Sequence, residues 1–233
     1  MSDSVTYELD GQVAVITFDD GKANVYDHQV LDAIASGFDR AEQEATAVLL
    51  AGRPGRFSAG FNLSIMTSGV EPMRALVSHG AELMMKIFVH PQPVVAACSG
   101  HALAAGALIL MSCDRRVGVD GAFKIGLNEV AIGMGLPHFA VELARYRMPP
   151  SAFDTILLGD TFAPSAAVAA GLLDEVVEGD HDALLAAAKD AAQALSALSN
   201  GAVGHTKRLA RQQLHDDILE RLAPDMASIT GPS

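Results

Sequence analysis

The stretch Pro93–Asp114, PVVAACSGHALAAGALILMSCD, decides which kind of protein this chain can be. No Lys, Arg, Asp or Glu occurs between residues 87 and 113, and about 20 apolar residues suffice to span a bilayer. The stretch nevertheless divides into a strand of about six residues, a turn at Ser99–His101 and a helix of about eleven residues. Neither piece can cross a membrane, so the pattern predicts a strand and a helix buried in a protein core.

Strands and helices alternate on both sides of this stretch. The sequence VTYELDGQVAVITFDD indicates two strands joined at Asp10-Gly11, a turn in which both positions favour positive φ. Apolar residues at helical spacing predict helices over Asp27–Glu44 and Glu71–Phe88, and TAVLLAG between them predicts a buried strand. This alternation is typical of a layered α/β fold.

The C-terminal part of the chain differs from the rest. From residue 181 onward the pattern is almost entirely helical, with one break at Asn200-Gly201. We therefore expect a core over residues 1–180 and a helical region over residues 181–233. The leucines of this helical region, among them Leu184, Leu209 and Leu222, need a surface that covers them, and a second subunit is one candidate.

Composition excludes several classes of function. The 233 residues include 28 acidic and 16 basic side chains, and a net charge of −12 argues against binding nucleic acid or an anionic membrane. The segment MSDSVTYELDG lacks the regions of a secretory signal. Cys98 and Cys113 indicate no disulfide framework, and we expect a reduced cytoplasmic setting. No Cys or His spacing suggests a metal site.

Two segments place small residues where a strand passes into a turn or a helix. They are FSAGFNL (Phe57–Leu63) and SGHALAAGAL (Ser99–Leu108). Small residues let a backbone approach a ligand closely, and two converging backbone N–H groups would form an oxyanion hole. Close packing of a helix on a sheet selects the same residues, so composition alone leaves both interpretations open.

A single carboxylate stands in the apolar segment FKIGLNEVAIGMGLPHF. Burial among these neighbours would raise the pKa of Glu129 toward the range of a general base. The alternative is an exposed glutamate on a loop. A weaker hypothesis is a hydrolase with Ser58 as nucleophile and His101 or His138 as base, although GRFSAG departs by one residue from a nucleophile elbow.

Four motifs in a fixed order resemble those of the crotonase (enoyl-CoA hydratase/isomerase) superfamily. GRFSAGFNLS resembles its first oxyanion-hole motif, and PVVAACSGHALAAGALILMSCDRRV resembles its central strand, turn and helix. FKIGLNEVAIGM resembles the segment with the distal catalytic glutamate, and LLGDTFAPSAAVAAGLLDEVV resembles a signature of the C-terminal half. On these motifs the chain is identified as a member of the superfamily.

The resemblance implies a fold and a substrate. The expected fold is an α/β spiral of repeated ββα units, followed by a helical region that forms homotrimers or hexamers. Members act on acyl-CoA thioesters through an enolate-like intermediate held by an oxyanion hole. Coenzyme A enters as part of the substrate, so no separate cofactor is expected. The implied role is cytoplasmic fatty-acid or related acyl-CoA breakdown, as in β-oxidation.

The resemblance also assigns roles, and one departure from the pattern changes the expected reaction. It makes the N–H groups of Phe61 and Ala105 the oxyanion donors and Glu129 the acid/base. Hydratases carry another glutamate where this chain has Leu108, so the resemblance favours a single-glutamate Δ3,Δ2-enoyl-CoA isomerase. One alternative is a hydratase or lyase in which His101 or His138 supplies the second polar group. Another is a non-catalytic acyl-CoA binder.

The remaining expected contacts follow from the same resemblance. The segment from residue 62 to residue 88, with an apolar Met73, is expected to line the acyl pocket. The residues expected to contact the substrate are Ala59, Gly60, Leu108, Ile65, Met66 and His138. The cations expected to meet coenzyme A are Lys22, Arg56 and Lys207, with Arg53 and Arg208 as further candidates.

Overall fold

The strands and helices of the chain are seen in a computed structural model that describes residues 4–229. The strands are β1 (Val5–Asp10), β2 (Val13–Phe18), β3 (Val25–Tyr26), β4 (Ala47–Ala51), β5 (Gly55–Ser58), β6 (Gly60–Phe61), β7 (Val94–Cys98), β8 (Gly100–Leu103), β9 (Arg115–Val119), β10 (Ile125–Gly126), β11 (Thr161–Phe162) and β12 (Glu175–Val177). The helices are α1 (His28–Glu44), α2 (Leu63–Met66), α3 (Val70–Phe88), α4 (Ala105–Ser112), α5 (His138–Arg147), α6 (Pro150–Leu157), α7 (Pro164–Ala169), α8 (His181–Ser196) and α9 (Asn200–Ser228), and a 3₁₀ turn spans Val130–Ile132.

A six-stranded sheet in the order β1-β2-β4-β7-β9-β12 forms the centre of the fold. Its first two strands form the predicted hairpin, but the two residues of the turn are Gly11 and Gln12, and only Gly11 has a positive φ. From β2 to β12 all neighbours are parallel. The helices predicted over Asp27–Glu44 and Glu71–Phe88 correspond to α1 and α3, whose ends lie within one residue of the prediction. Asp27 caps α1 by accepting the N–H of Val30 at 2.9 Å.

Three successive passes of the chain through this sheet continue into a smaller sheet before a helix begins. After β4, β7 and β9 come β5, β8 and β10, which lie side by side in a four-stranded sheet of order β11-β10-β8-β5. The helices α3, α4 and α5 then follow these passes. The α/β class and the spiral of repeated ββα units with C-terminal helices are thereby confirmed.

The central uncharged stretch contains one strand more than predicted. Instead of a turn at Ser99–His101, the strand β8 follows β7 directly, and the helix begins at Ala105. Gly100 makes this possible, because a Cβ atom there would lie 2.1 Å from the backbone of Gly55. Among residues 4–229, no helix is long and apolar enough to cross a membrane.

Helices cover both faces of the large sheet. One face packs against α8, where Leu184, Ala188 and Ala192 are fully buried against strand residues such as Leu49 and Val95. The other face packs against α1, α3 and α4. Part of the leucine-rich tail is therefore covered by the sheet of its own chain, while Leu209 remains 78% exposed. A division of the chain at residue 180 stays a prediction.

A buried ion cluster ties α9 to the start of the sheet strands. Asp114 accepts hydrogen bonds from the Val94 N–H (2.8 Å), Lys207 Nζ (2.8 Å) and Arg211 Nη1 (2.6 Å). Burial alone would raise the pKa of Asp114, but Lys207 and Arg211 outweigh it and hold that pKa below its usual range. The charges of Lys207 and Arg211 are compatible with burial because this carboxylate faces them.

We expect Asp114→Asn to destabilise the protein strongly, because it leaves the charges of Lys207 and Arg211 buried without a counterion. Breaking such a cluster costs about 3–5 kcal/mol, measured as the free energy of unfolding in urea. Asp10→Asn is the control, since Asp10 forms an exposed pair with Lys189 and its loss costs about 1 kcal/mol or less. Equal losses in the two variants would contradict a stabilising role of the cluster.

Candidate active site

The two small-residue segments lie against each other. A Cβ atom on Gly106 would stand 2.7 Å from the carbonyl oxygen of Ser58, which is too close for any side chain. A Cβ atom on Gly60 would lie 3.0 Å from the Cβ of Ala104 and 3.5 Å from the backbone nitrogen of Ala105. The small residues thus serve close packing, and this packing brings the backbone near Phe61 next to the first amide of α4.

The amide of Phe61 is turned away from its neighbouring strand. Phe61 lies opposite Tyr26 in the parallel pair of β6 and β3, and the Asn62 N–H donates to the Tyr26 carbonyl at 2.9 Å. The N–H of Gly60 donates to the hydroxyl of Ser58 at 3.0 Å. Because alternate residues of a strand bond to a given neighbour, the Phe61 N–H faces away from β3.

The second amide is the first of a helix. Ala105 begins α4, so its N–H has no acceptor within the helix and stands at the positive end of the helix dipole. The preceding residue, Ala104, has a φ of 52°, a conformation that turns the chain sharply between β8 and α4. Two backbone donors from separate segments therefore lie in one region of the molecule.

The ring of Phe61 fixes the position of its backbone. It packs directly on Gly80 of α3, where a Cβ atom would lie 2.4 Å from the ring. Ser58 helps from the other side, since it is fully buried and its hydroxyl donates to the Asn24 carbonyl at 2.6 Å. With its proton committed in this way and no access to solvent, Ser58 is not a nucleophile, and the hydrolase hypothesis is wrong.

Glu129 lies between β10 and the 3₁₀ turn that begins at Val130, with its side chain in an apolar pocket. Its Oε2 atom is buried and has no hydrogen-bond partner. Burial raises the pKa of Glu129 to about 7, an effect that a hydrogen bond from its own backbone offsets only in part. A carboxyl group with this pKa can both accept and return a proton near neutral pH.

The pocket around Glu129 holds about 460 Å³ of empty space, part of it open to solvent. Of the residues predicted for the site, it brings together Phe61, Leu108, Met66, Met73 and Glu129, and Leu108 is only 2% exposed. The other lining residues are Arg74, Val77, Met134, Gly135, Pro137, Phe139, Met226 and Ile229. Sequence reasoning missed most of these, since only the path of the chain brings α9 and α5 beside α3.

Several predicted contacts lie away from the pocket lining. Ile65 packs against the core, and the backbone N–H of His138 donates to Asp225 at the start of α5. His101 lies on β8, where its Nδ1 accepts the Lys124 N–H at 3.1 Å. Burial lowers the pKa of His101, and the charges of Arg56 and Lys124 lower it further.

The cations expected for coenzyme A fall into two groups. Lys22 is exposed, and its carbonyl accepts Arg53 Nη1 at 2.6 Å. Arg56 is half-buried at the start of β5, and its N–H donates to the Arg53 carbonyl. Lys207 is different, because it is 7% exposed and its ammonium is bound to Asp114 in the buried ion cluster. The structure therefore does not bring Lys207 to the site.

Comparison with known proteins identifies the family to which this arrangement belongs. A family model described as enoyl-CoA hydratase/isomerase matches residues 8–228. The chain belongs to the enoyl-CoA hydratase/isomerase family. A crystal structure of an enoyl-CoA hydratase/isomerase family protein from Pseudomonas syringae is 40% identical with a TM-score of 0.95, and the match covers 98% of this chain and 99% of that one.

Relatives within the enoyl-CoA hydratase/isomerase family carry both names. An Mtb enoyl-CoA isomerase is 35% identical with a TM-score of 0.90, over 97% of this chain and 100% of that chain. A probable enoyl-CoA hydratase of Bacillus subtilis is 31% identical over 73% of this chain and 67% of its own length. Similarity fixes the family and its fold, and the choice of reaction has to come from the chemistry of the site.

The raised pKa of Glu129 predicts a pH dependence of stability. Because the folded state holds the proton more tightly than the unfolded state, this carboxyl group favours folding below pH 4.5 and opposes it as the pH rises toward about 7. We expect Glu129→Gln to be roughly 2–4 kcal/mol more stable relative to wild type at pH 8 than at pH 4, measured by urea unfolding. The exposed Glu82→Gln controls for the loss of one negative charge. A difference between wild type and Glu129→Gln that stays constant with pH would contradict burial of the carboxylate.

Proposed function

We propose that this protein is a Δ3,Δ2-enoyl-CoA isomerase with Glu129 as its acid/base. The observation that carries the proposal is a single buried carboxylate in an apolar pocket, next to Leu108. An isomerisation needs one group that removes a proton from C2 of a 3-enoyl-CoA and returns it to C4. No water takes part, so an apolar side chain at position 108 suits the reaction.

The backbone donors supply the other half of the mechanism. In the proposal the thioester oxygen is held by the N–H groups of Phe61 and Ala105, which carry no side chain into the contact and need no reorganisation during the reaction. Removal of the C2 proton by Glu129 places negative charge on this oxygen, and the two donors stabilise the resulting dienolate. Loss of one such donor typically costs about 2.7–4 kcal/mol of barrier.

A hydratase would need a second polar group that orients water. Leu108 cannot accept or donate a hydrogen bond, and neither of the suggested substitutes, His101 and His138, is among the residues that line the pocket. Among the lining residues in the described part of the chain, Arg74 is the only other ionisable one, and its guanidinium donates to backbone carbonyls of α9 and to Glu71. These contacts favour isomerisation over hydration.

The proposal extends to the rest of the substrate and to assembly. Lys22 on the loop before β3, Arg53 on the loop before β5 and Arg56 in β5 are linked by hydrogen bonds to backbone carbonyls, and we assign them to the phosphates of coenzyme A. A homotrimer or hexamer would cover exposed apolar side chains of the tail such as Leu198 (50% exposed) and Leu209 (78% exposed). The proposed setting is cytoplasmic breakdown of fatty or related acyl-CoA.

Two substrates separate the proposed reaction from its alternatives. We expect 3-hexenoyl-CoA to give the conjugated 2-enoyl-CoA, followed by absorbance, and crotonyl-CoA to give no water adduct, followed by mass. A gain of one water from crotonyl-CoA would show a hydratase instead. Thermal stabilisation by both compounds with no turnover of either would show a non-catalytic binder.

The role of Glu129 is tested by an isosteric change. Glu129→Gln keeps the shape of the side chain and removes the base, so we expect kcat/KM for 3-hexenoyl-CoA to fall about 100- to 10,000-fold. The thermal shift produced by hexanoyl-CoA should persist, because the apolar pocket is unchanged. Glu82→Gln serves as the control with full activity. Isomerisation by Glu129→Gln at the wild-type rate would show that another group is the base.

A further inference from the structure

The last residues of α9 form one wall of the pocket that contains Glu129. Met226 is 4% exposed, and both it and Ile229 line this pocket. The wall comes from the same chain as the rest of the pocket, although it is far away in sequence. We call residues Pro224 to Ile229 the end wall.

Arg74 of α3 holds the end wall from one side. Its Nη2 donates to the carbonyls of Ala227 (2.8 Å) and Ile229 (2.8 Å), and its Nε donates to the latter at 3.2 Å. Glu71 orients the guanidinium through a 2.9 Å bond to Nη1. The last carbonyls of a helix lack partners within it and favour a nearby cation, so Arg74 satisfies α9 where α9 ends.

A second contact holds the end wall from α5. Asp225 Oδ2 accepts the backbone N–H of His138 at 2.8 Å, which provides a partner for the first amide of that helix. The side chains of Pro137 and Phe139 on either side of this amide line the pocket. The end wall is therefore bound to two of the elements between which a substrate tail would lie.

Proline weakens the connection between the end wall and the rest of α9. Pro224 lies inside the helix and has no N–H, so the hydrogen bond to the carbonyl four residues earlier is missing. Helices bend most easily at such a position. Residues beyond Pro224 are held by the packing of Met226 and Ile229 against the core and by the contacts of Arg74 and Asp225, and one helix hydrogen bond fewer joins them to the rest of α9.

The end wall and the Phe61 ring contact α3 at different points along its length. The Phe61 ring packs on Gly80 of α3, and Arg74 precedes Gly80 by six residues, roughly 9 Å along a helix. A thioester held at the Phe61 amide would extend its acyl tail along α3 toward Met73 and Arg74. The tail would meet Met226 and Ile229 there.

We propose that the end wall sets the acyl-chain length that this site accepts. Short enoyl chains fit with the wall closed, whereas a long tail must break the contacts of Arg74 and swing the wall about Pro224. The inference rests on the proposed acyl-CoA site but not on the isomerase reaction. Arg74 acts here as a positioning residue, through the wall that it holds.

The test is the ratio of kcat/KM for a long-chain substrate to kcat/KM for a short-chain substrate. A general loss of stability would lower both values and leave their ratio unchanged. For wild type we expect kcat/KM for 3-hexenoyl-CoA to exceed that for 3-dodecenoyl-CoA. Arg74→Met removes the donors and keeps most of the apolar stem, and it should raise the dodecenoyl-to-hexenoyl ratio about tenfold or more. Met226→Ala shortens the wall itself and should shift the ratio in the same direction, so it tests the inference should Arg74→Met fail to fold.

Arg145→Met is the matched control, since Arg145 also pairs with a glutamate three residues earlier, Glu142, on an exposed face of α5. It should leave the ratio at the wild-type value. Thermal shifts with hexanoyl-CoA and dodecanoyl-CoA repeat the comparison without turnover. If the thermal shifts depend on chain length but the protein isomerises neither substrate, the proposed reaction is overturned and the role of the end wall in chain-length selection is supported. Isomerisation of both lengths at equal rates by wild type, or equal changes for both in Arg74→Met and Met226→Ala, would overturn the end wall.

Discussion

The contact between the backbone of Ser58–Gly60 and that of Ala104–Gly106 is the constraint on which the site depends. A side chain on Gly106 would stand 2.7 Å from the Ser58 carbonyl, so the two segments can touch only with glycine there. Phe61 directly follows the first segment and Ala105 lies in the second, and neither amide is used by the β3–β6 pair or by helix α4. In the proposed function, a thioester oxygen between them meets two donors that are in place before it binds.

The fold explains why segments so far apart in sequence meet at this point. β4 and β7 are parallel neighbours in the large sheet, and each leads within a few residues into a strand of the smaller sheet. Since the same step is repeated one pass later, β5 and β8 also become parallel neighbours. The ends of these two strands must then lie side by side. The repetition of one ββα unit therefore brings the amides of Phe61 and Ala105 into one region without any residue that is dedicated to joining them.

The parts of this structure that local pattern determines could be predicted from the sequence. The periodicity of α1 and α3 and the unbroken apolar run of β4 report burial directly, and Glu129 stands out because, apart from Asn128, the residues around it are apolar. β8 could not be found in this way, because Gly100 marks a close approach to Gly55 that no local pattern reveals. Burial of Lys207 was missed for a similar reason, since its partner Asp114 lies 93 residues earlier in the chain. Met226 belongs to the pocket only through the tertiary path of α9.

Burial of Glu129 both raises the pKa of its carboxyl group and keeps water away from it. The same apolar surroundings that raise the pKa of this carboxyl group to about 7 also leave little that would hold a water molecule beside it. A polar residue at position 108 would bind water, and it would also solvate Glu129 and lower the pKa that burial has raised. With leucine at that position, the carboxyl group keeps the apolar surroundings that raise its pKa. The described lining of this pocket holds one carboxylate among apolar side chains, and its other ionisable residue, Arg74, is bound to Glu71 and to the carbonyls of Ala227 and Ile229.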